Sequence, residues 1–259
     1  MASISNPTQV NVSKGLILFP LGNMDTTAYK MLLSYQSLWS GYRNTIFYII
    51  LSCAITGTLT IVAGFVFSRN RFFYRNTFML IISFTMLFNG GMIPTYMVIR
   101  NIGMVDTIWA LVVPRSLSVF NIILMRTSMQ EISDSLEEAA RLDGANDFII
   151  MFKIVLPLCK ATFAVIMLFT IVMKWNDYMS ALLYLPTKTE LYPLQMELRK
   201  ILFQSTKEIT SASDVSSSTV YARNVEYGAI VISTLPILCV YPFVQKYFVT
   251  GMTIGAVKA

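Results

Sequence analysis

From Asn44 to Ser68 no position is charged, and these 25 residues, rising about 1.5 Å each, reach roughly 37 Å, enough to cross a hydrocarbon core of about 30 Å with some tilt. A second uncharged run extends from Asn76 to Ile99, where Asn89-Gly90-Gly91 and Pro94 are expected to loosen or break the helix toward its exit. A third candidate, Thr107 to Met125, carries Pro114 and Arg115 near its middle. A fourth begins after Pro157 and runs past Trp175, and a fifth covers Tyr227 to Val244 with Pro236 and Pro242 inside it. The pattern predicts an all-α, polytopic transmembrane helical bundle with five visible spans, residues 44–259, preceded by a polar N-terminal segment, residues 1–43.

The loops between spans set an orientation. Arg69 to Arg75 holds three arginines in seven residues and no acid, whereas Arg100 to Asp106 holds one charge of each sign. The excess of basic residues places the Arg69 loop in the cytoplasm. Alternation then puts residues 126–157 in the cytoplasm, residues 186–226 outside, Lys246 and Lys258 inside and the N-terminus outside. Residues 1–43 carry Lys14, Asp25, Lys30 and Arg43 and no apolar run longer than Gly15 to Leu21, so they read as neither signal peptide nor span. Two readings follow: a short polar tail translocated unaided, or a natural chain that begins with a further span. In the external stretch, Leu194, Leu198, Ile201 and Leu202 recur at helical spacing between Leu191 and Gln204, and Ser205 to Thr219 is rich in Ser and Thr. An amphipathic surface helix followed by a flexible linker is expected there. No internal repeat of 20 to 50 residues stands out.

Composition agrees with a chain that lives in lipid. Hydrophobic residues make up 55% and charged residues 13%, against about 25% charged in ordinary soluble domains. There is no histidine, and Cys53, Cys159 and Cys239 stand far apart, which excludes histidine catalysis, zinc centres and a disulfide framework. The net charge of +6 sits beside apolar runs instead of along one stripe, a distribution suited to an anionic lipid bilayer and not to nucleic acid.

The segment between spans three and four has the strongest signature. It reads Glu138-Ala139-Ala140, three residues, Gly144, nine residues, then Ile154, one residue, Leu156-Pro157. Ser133-Asp134-Ser135 can cap a short helix whose first turns carry Glu137 and Glu138, and Gly144 can end it in the left-handed conformation. From Asp147 to Val155, Phe148, Ile149 and Phe152 fall on one side. The result is a helix, a turn and a second helix along the membrane surface, a bracket shaped for another protein's groove.

This pattern resembles the EAA loop of permease subunits in ABC importers, with all seven specified positions matching. A chance match is on the order of 10⁻⁸ per start position at ordinary residue abundances. Over about residues 15–259 the chain is similar to the carbohydrate-uptake, MalG-like group, oligosaccharide branch, through Asn89-Gly-Gly-Met-Ile-Pro-Thr-Tyr96, Asn121-Ile-Ile-Leu-Met-Arg126, Leu136-Glu-Glu-Ala-Ala-Arg-Leu-Asp-Gly-Ala145 and Leu191-Tyr-Pro-Leu194. The resemblance implies a type I importer permease with a six-span core, of which the first span is missing here. It further implies a second permease subunit, usually a different chain, a cytoplasmic ATPase dimer that receives the EAA loop, and an extracellular solute-binding protein that delivers sugar. In the family the glutamate matching Glu138 faces a basic groove on the ATPase, the alanines matching Ala139 and Ala140 allow close approach, and the glycine matching Gly144 makes the turn. The expected coupling set is therefore Glu138, Ala139, Ala140, Gly144, Phe148, Phe152, Ile154, Leu156 and Pro157. No G-x-x-x-x-G-K-[ST] phosphate loop occurs, so ATP and its Mg are expected to be used by the partner, with no cofactor or metal on this chain and no enzyme activity of its own.

Two groups are candidates for the solute path. Arg115 near mid-bilayer incurs roughly 2.5–3.5 kcal/mol on insertion scales and should face the bundle or a watery path. With Ser118 and Asn121 it would form a polar arc of about 120° on one helix. This arc either contacts sugar hydroxyls or a uronate carboxylate, or else Arg115 is structural and bonds carbonyls opened by Pro114. Lys174-Trp175-Asn176-Asp177-Tyr178 mixes aromatic faces and polar groups suited to stacking on sugar rings. The same residues also suit a membrane interface, with Lys174 and Asp177 paired at i, i+3. A membrane hydrolase lacks its residues here, and the alternative class is a channel or secondary transporter not coupled to ATP, for which an EAA loop has no purpose.

Overall fold

The long uncharged run forms the longest helix of the protein, seen in a computed structural model that describes residues 2–6, 25–88, 90–211, 221 and 224–239. Every regular element among these residues is a helix. The first, α1, is Thr27–Ser34. Helix α2, Gln36–Ser68, starts eight residues before Asn44, because nothing between Gln36 and Arg43 obstructs a helix and the charge of Arg43 can be carried at its end.

The second uncharged run is two helices, α3 at Arg75–Thr85 and α4 at Met92–Asn101. The break lies where it was expected, but Pro94 does not cause it: Pro94 sits in the first turn of α4, where its missing N–H is no loss. Gly91, at φ +87°, makes the turn; Asn89 lies outside the described residues. The third run is also divided. Helix α5, Ile108–Val112, tightens into a 3₁₀ turn at Val113–Arg115, and α6, Val119–Gln130, leaves at 50° to it. Helix α7 is Asp134–Leu142, and α8, Asp147–Leu158, contains a wide π-type turn at Ile150–Val155. Helix α9, Lys160–Trp175, leaves α8 at 84° and stops at Trp175 instead of running past it.

The remaining helices are α10 at Met179–Tyr184, α11 at Leu194–Ser211 and α12 at Asn224–Cys239. Helix α11 continues through Ser205–Ser211, where a flexible linker was expected; residues 212–219 of that linker, residues 240–244 of the fifth run, Lys246 and Lys258 lie outside the described residues. Among the described residues α2 alone is long and apolar enough to cross a membrane as one helix. The bent pairs α5–α6 and α8–α9 bring the number to three if each counts as one span, and α12 is a shorter apolar helix.

The chain divides into two compact units. Of the described residues, those before Tyr48 and after Lys174 form one, and those from Tyr48 to Lys174 form the other. In the first, side chains tie helices to one another's backbone: Tyr42 donates to the Ile232 carbonyl at 2.7 Å and Trp175 Nε1 to Ser233 O at 2.9 Å, both midway along α12, while Thr45 Oγ1 accepts from the Leu194 N–H at 2.8 Å. Leu194, Leu198 and Ile201, the apolar stripe read from the sequence, are buried. In the second unit Ile61 and Phe65 of α2, Met125 and Met129 of α6, Ile150, Met151 and Val155 of α8, and Ile166 of α9 form one core. Glycine permits the close approach of α2 and α6: a Cβ on Gly64 would lie 2.9 Å from Met125 Cγ.

Candidate functional site

Helices α7 and α8 form a bracket resting on that core. Ser133 occupies the N-cap position of α7 with extended backbone, yet its hydroxyl meets Ser135 Oγ at 2.7 Å and makes no cap bond. Asp134 and Glu137 in the first turn suit the positive end of the helix. The helix ends as expected. Gly144 takes φ +84°, its N–H donates to Arg141 O at 3.0 Å, and the Ala145 N–H donates to Ala140 O at 2.9 Å, a Schellman closure that satisfies the last carbonyls. Helix α8 then opens with Asn146, whose side chain accepts from the Ile149 N–H at 2.9 Å. Arg141 and Asp147 pair across the turn at 2.6 Å, joining the two arms.

The expected coupling residues separate into two groups. Glu138, Ala139, Gly144, Phe148, Phe152 and Pro157 are exposed, whereas Ala140, Ile154 and Leu156 pack against the core beneath. Leu142, absent from the expected set, is 90% exposed, and Phe148 is 69% exposed. The bracket thus exposes Glu138 and Leu142 one turn apart on α7, and Phe148 and Phe152 one turn apart on α8.

A buried ion pair fastens the bracket to α2. Arg69, one residue past the end of that helix, meets Glu137 at 2.5 Å, both side chains nearly buried, with the Arg69 guanidinium 5.0 Å from the Phe65 ring centre. Burial pushes the Glu137 carboxyl up from its ordinary value, and the Arg69 charge pulls the other way. Arg126 Nε donates to Phe67 O at 3.0 Å, giving the C-terminal end of α2 a second cationic partner. The sequence shows Arg69 as a sidedness marker and Glu137 as a first-turn acid; nothing in their spacing of 68 positions announces that they meet.

Arg115, Ser118 and Asn121 come together, though not as an arc on one helix. Arg115 ends the 3₁₀ turn, Ser118 lies in the extended break and Asn121 opens α6. All three line a cleft of about 380 Å³ together with Thr56, Thr170, Phe120 and Phe169. Lys174, Trp175 and Asp177 are otherwise placed. Lys174 is buried and donates to the Leu111 carbonyl. Trp175 is buried, its ring against Tyr42, which leaves no face presented for stacking on a sugar. Asn176 is exposed, and Asp177 accepts from the Ser180 N–H at 3.0 Å at the start of α10. Tyr178 lies under the Arg199 guanidinium at 5.3 Å and lines a separate cleft of about 360 Å³ within its own unit.

Residues 56–254 match the family described as binding-protein-dependent transport system inner membrane component, and the chain belongs to that family. It is a membrane-spanning permease subunit of an ABC importer. The polygalacturonan/rhamnogalacturonan transport system permease protein YtcP of Bacillus subtilis (strain 168) is 38% identical over 95% of this chain and 86% of its own length. Protein LplC of the same organism is 36% identical over 89% of this chain and 78% of its own. Among solved structures, a bacterial ABC transporter involved in the import of the acidic polysaccharide alginate has a chain that superposes with a TM-score of 0.84 at 34% identity, covering 95% of this chain and 87% of that one.

Proposed function

We propose that the chain pairs with a second, different permease to form the translocation path for a sugar or oligosaccharide, and that its α7–α8 bracket couples the path to a cytoplasmic ATPase dimer. The observation that carries this reading is the bracket itself, which exposes Glu138 and Leu142 on α7 and Phe148 and Phe152 on α8, two helices joined by the Gly144 closure. An exposed carboxylate with exposed apolar side chains matches a groove with a cationic rim and an apolar floor. The names of YtcP and of the alginate importer support a saccharide as the solute, delivered by an extracellular binding protein as the family description implies. The chain contains no phosphate-binding loop, so ATP and Mg belong to the ATPase and this subunit has no hydrolytic site.

In this reading residues 126–157 face the cytoplasm and residues 186–226 the outside, as the arginines of the Arg69 loop require. Closure of the ATPase pulls on the bracket, and α2 follows through Arg69 and Glu137. The test is ATP hydrolysis and uptake in proteoliposomes containing this chain, its partner permease, ATPase and binding protein. Glu138→Ala should lower sugar-stimulated hydrolysis and uptake about 10-fold or more while leaving membrane insertion unchanged. Full uptake by that variant would remove the bracket from the coupling role.

A further inference from the structure

The lining of the cleft at Arg115 combines one cation with an amide, hydroxyls and aromatic rings. Arg115 is the one ionisable residue among its described lining residues, and no partner for its guanidinium occurs among the described residues. The alternative read from the sequence, an arginine bonded to carbonyls released by Pro114, is therefore not what the structure contains. Asn121 is 8% exposed, and its side-chain amide likewise has no partner among the described residues. Arg115 is exposed on the cleft and the Asn121 amide opens onto it, so a ligand that supplies an anion and hydroxyls gives partners to both groups. Around them stand the hydroxyls of Thr56, Ser118 and Thr170, and the rings of Phe120 and Phe169, whose centres are 6.5 Å apart.

The geometry points to a subsite for a uronate unit: the Arg115 guanidinium pairs with the sugar carboxylate, Asn121 and the hydroxyls bond the ring hydroxyls, and Phe120 and Phe169 cover its apolar C–H faces. This deepens, and rests on, the reading of the chain as a saccharide permease. A guanidinium fork matches a planar carboxylate in shape and in single charge. A phosphate monoester carries about 1.5 to 2 negative charges and three acceptor oxygens, more than one cation in this cleft can balance.

Binding can be measured by titration calorimetry on the detergent-purified complex of this chain with its partner permease and ATPase, in the absence of binding protein. The probes are trigalacturonate, its carboxyl-reduced neutral counterpart and a sugar phosphate. Trigalacturonate should bind at least 10-fold tighter than the reduced sugar, with the difference shrinking as salt is raised. Arg115→Gln should abolish that difference, and Arg115→Lys should keep part of it, since lysine retains the charge without the fork. Equal affinity of the wild type for acidic and reduced sugars, a preference for the sugar phosphate, or an unchanged preference in Arg115→Gln would each overturn the uronate subsite. Loss of all binding in Arg115→Gln with normal binding in Arg115→Ala would also overturn it, by showing that the Gln effect is not one of charge. Failure of the subsite separates from failure of the parent reading in proteoliposomes: ATP-coupled uptake without preference for uronates defeats only the subsite, whereas absence of coupled uptake for every saccharide defeats the permease assignment to sugars.

Discussion

Glu137 and Glu138 are neighbours of the same type with opposite surroundings, one buried against Arg69 and the other open to solvent. Adjacent residues on a helix are separated by about 100°, so α7 can face the core with one and a partner with the next. Removing either member of the buried pair leaves an uncompensated charge, which costs about 3 kcal/mol in comparable sites. Arg69→Ala and Glu137→Ala should each destabilise the purified subunit by that order in thermal unfolding, and the double variant Arg69→Ala/Glu137→Ala by clearly less than the sum. Additive losses would show that the two side chains do not act together. The pH dependence has a defined sign. Because the folded carboxyl titrates above its ordinary value, the stabilisation linked to its protonation is fully present below about pH 4.3 and is lost as pH rises through the folded value. Glu137→Gln should flatten that part of the profile.

At the scale of elements, the breaks matter as much as the helices. Pro114, Gly91 and Gly144 were visible as interruptions in the sequence, and chain breaks occur at or beside each of them. Which interruption performs which task was less visible, since Pro94 is accommodated in a first turn while Gly91 makes the bend. The bracket's first helix and its glycine stop followed from local chemistry, whereas the Asn146 cap and the inward packing of Ala140, Ile154 and Leu156 depend on the core below. The contact of α2 with α6 likewise depends on tertiary fit. Gly64→Ala places a methyl 2.9 Å from Met125 Cγ and should destabilise the subunit by about 1–3 kcal/mol. Met125→Ala should cost less in the Gly64→Ala background than in the parent in a thermal unfolding series, because it also removes the clash; a Gly64→Ala variant as stable as the parent would show that α6 yields without cost.

At the scale of the whole molecule, the charge asymmetry of the loops makes a sidedness argument that can be checked directly. Single cysteines at Ser135 in the bracket and Thr189 beyond α10, in a chain whose three native cysteines are replaced, should react with a membrane-impermeant thiol reagent from opposite sides. Thr189→Cys should label in intact cells and Ser135→Cys only after the membrane is opened. Labelling of both from the same side would reverse or void the assigned orientation. A permease works by presenting its path alternately to the two sides, so this placement decides whether the bracket can reach an ATPase at all.

Membrane character, helical class, the bracket between Asp134 and Pro157 and the membership that the EAA pattern implies are all written in the chain. These properties are legible because each rests on a local rule: an apolar run long enough for a bilayer, a glycine at a left-handed position, a pattern of residue types at short spacing. Tertiary structure alone decided that Arg69 meets Glu137 and that Trp175 is turned inward. It also decided that Arg115, Ser118 and Asn121 face one cleft with Thr56 and Thr170 from other helices. Those outcomes depend on which helix faces pack together, and a buried charge or amide is satisfied or left open by neighbours that are distant in sequence.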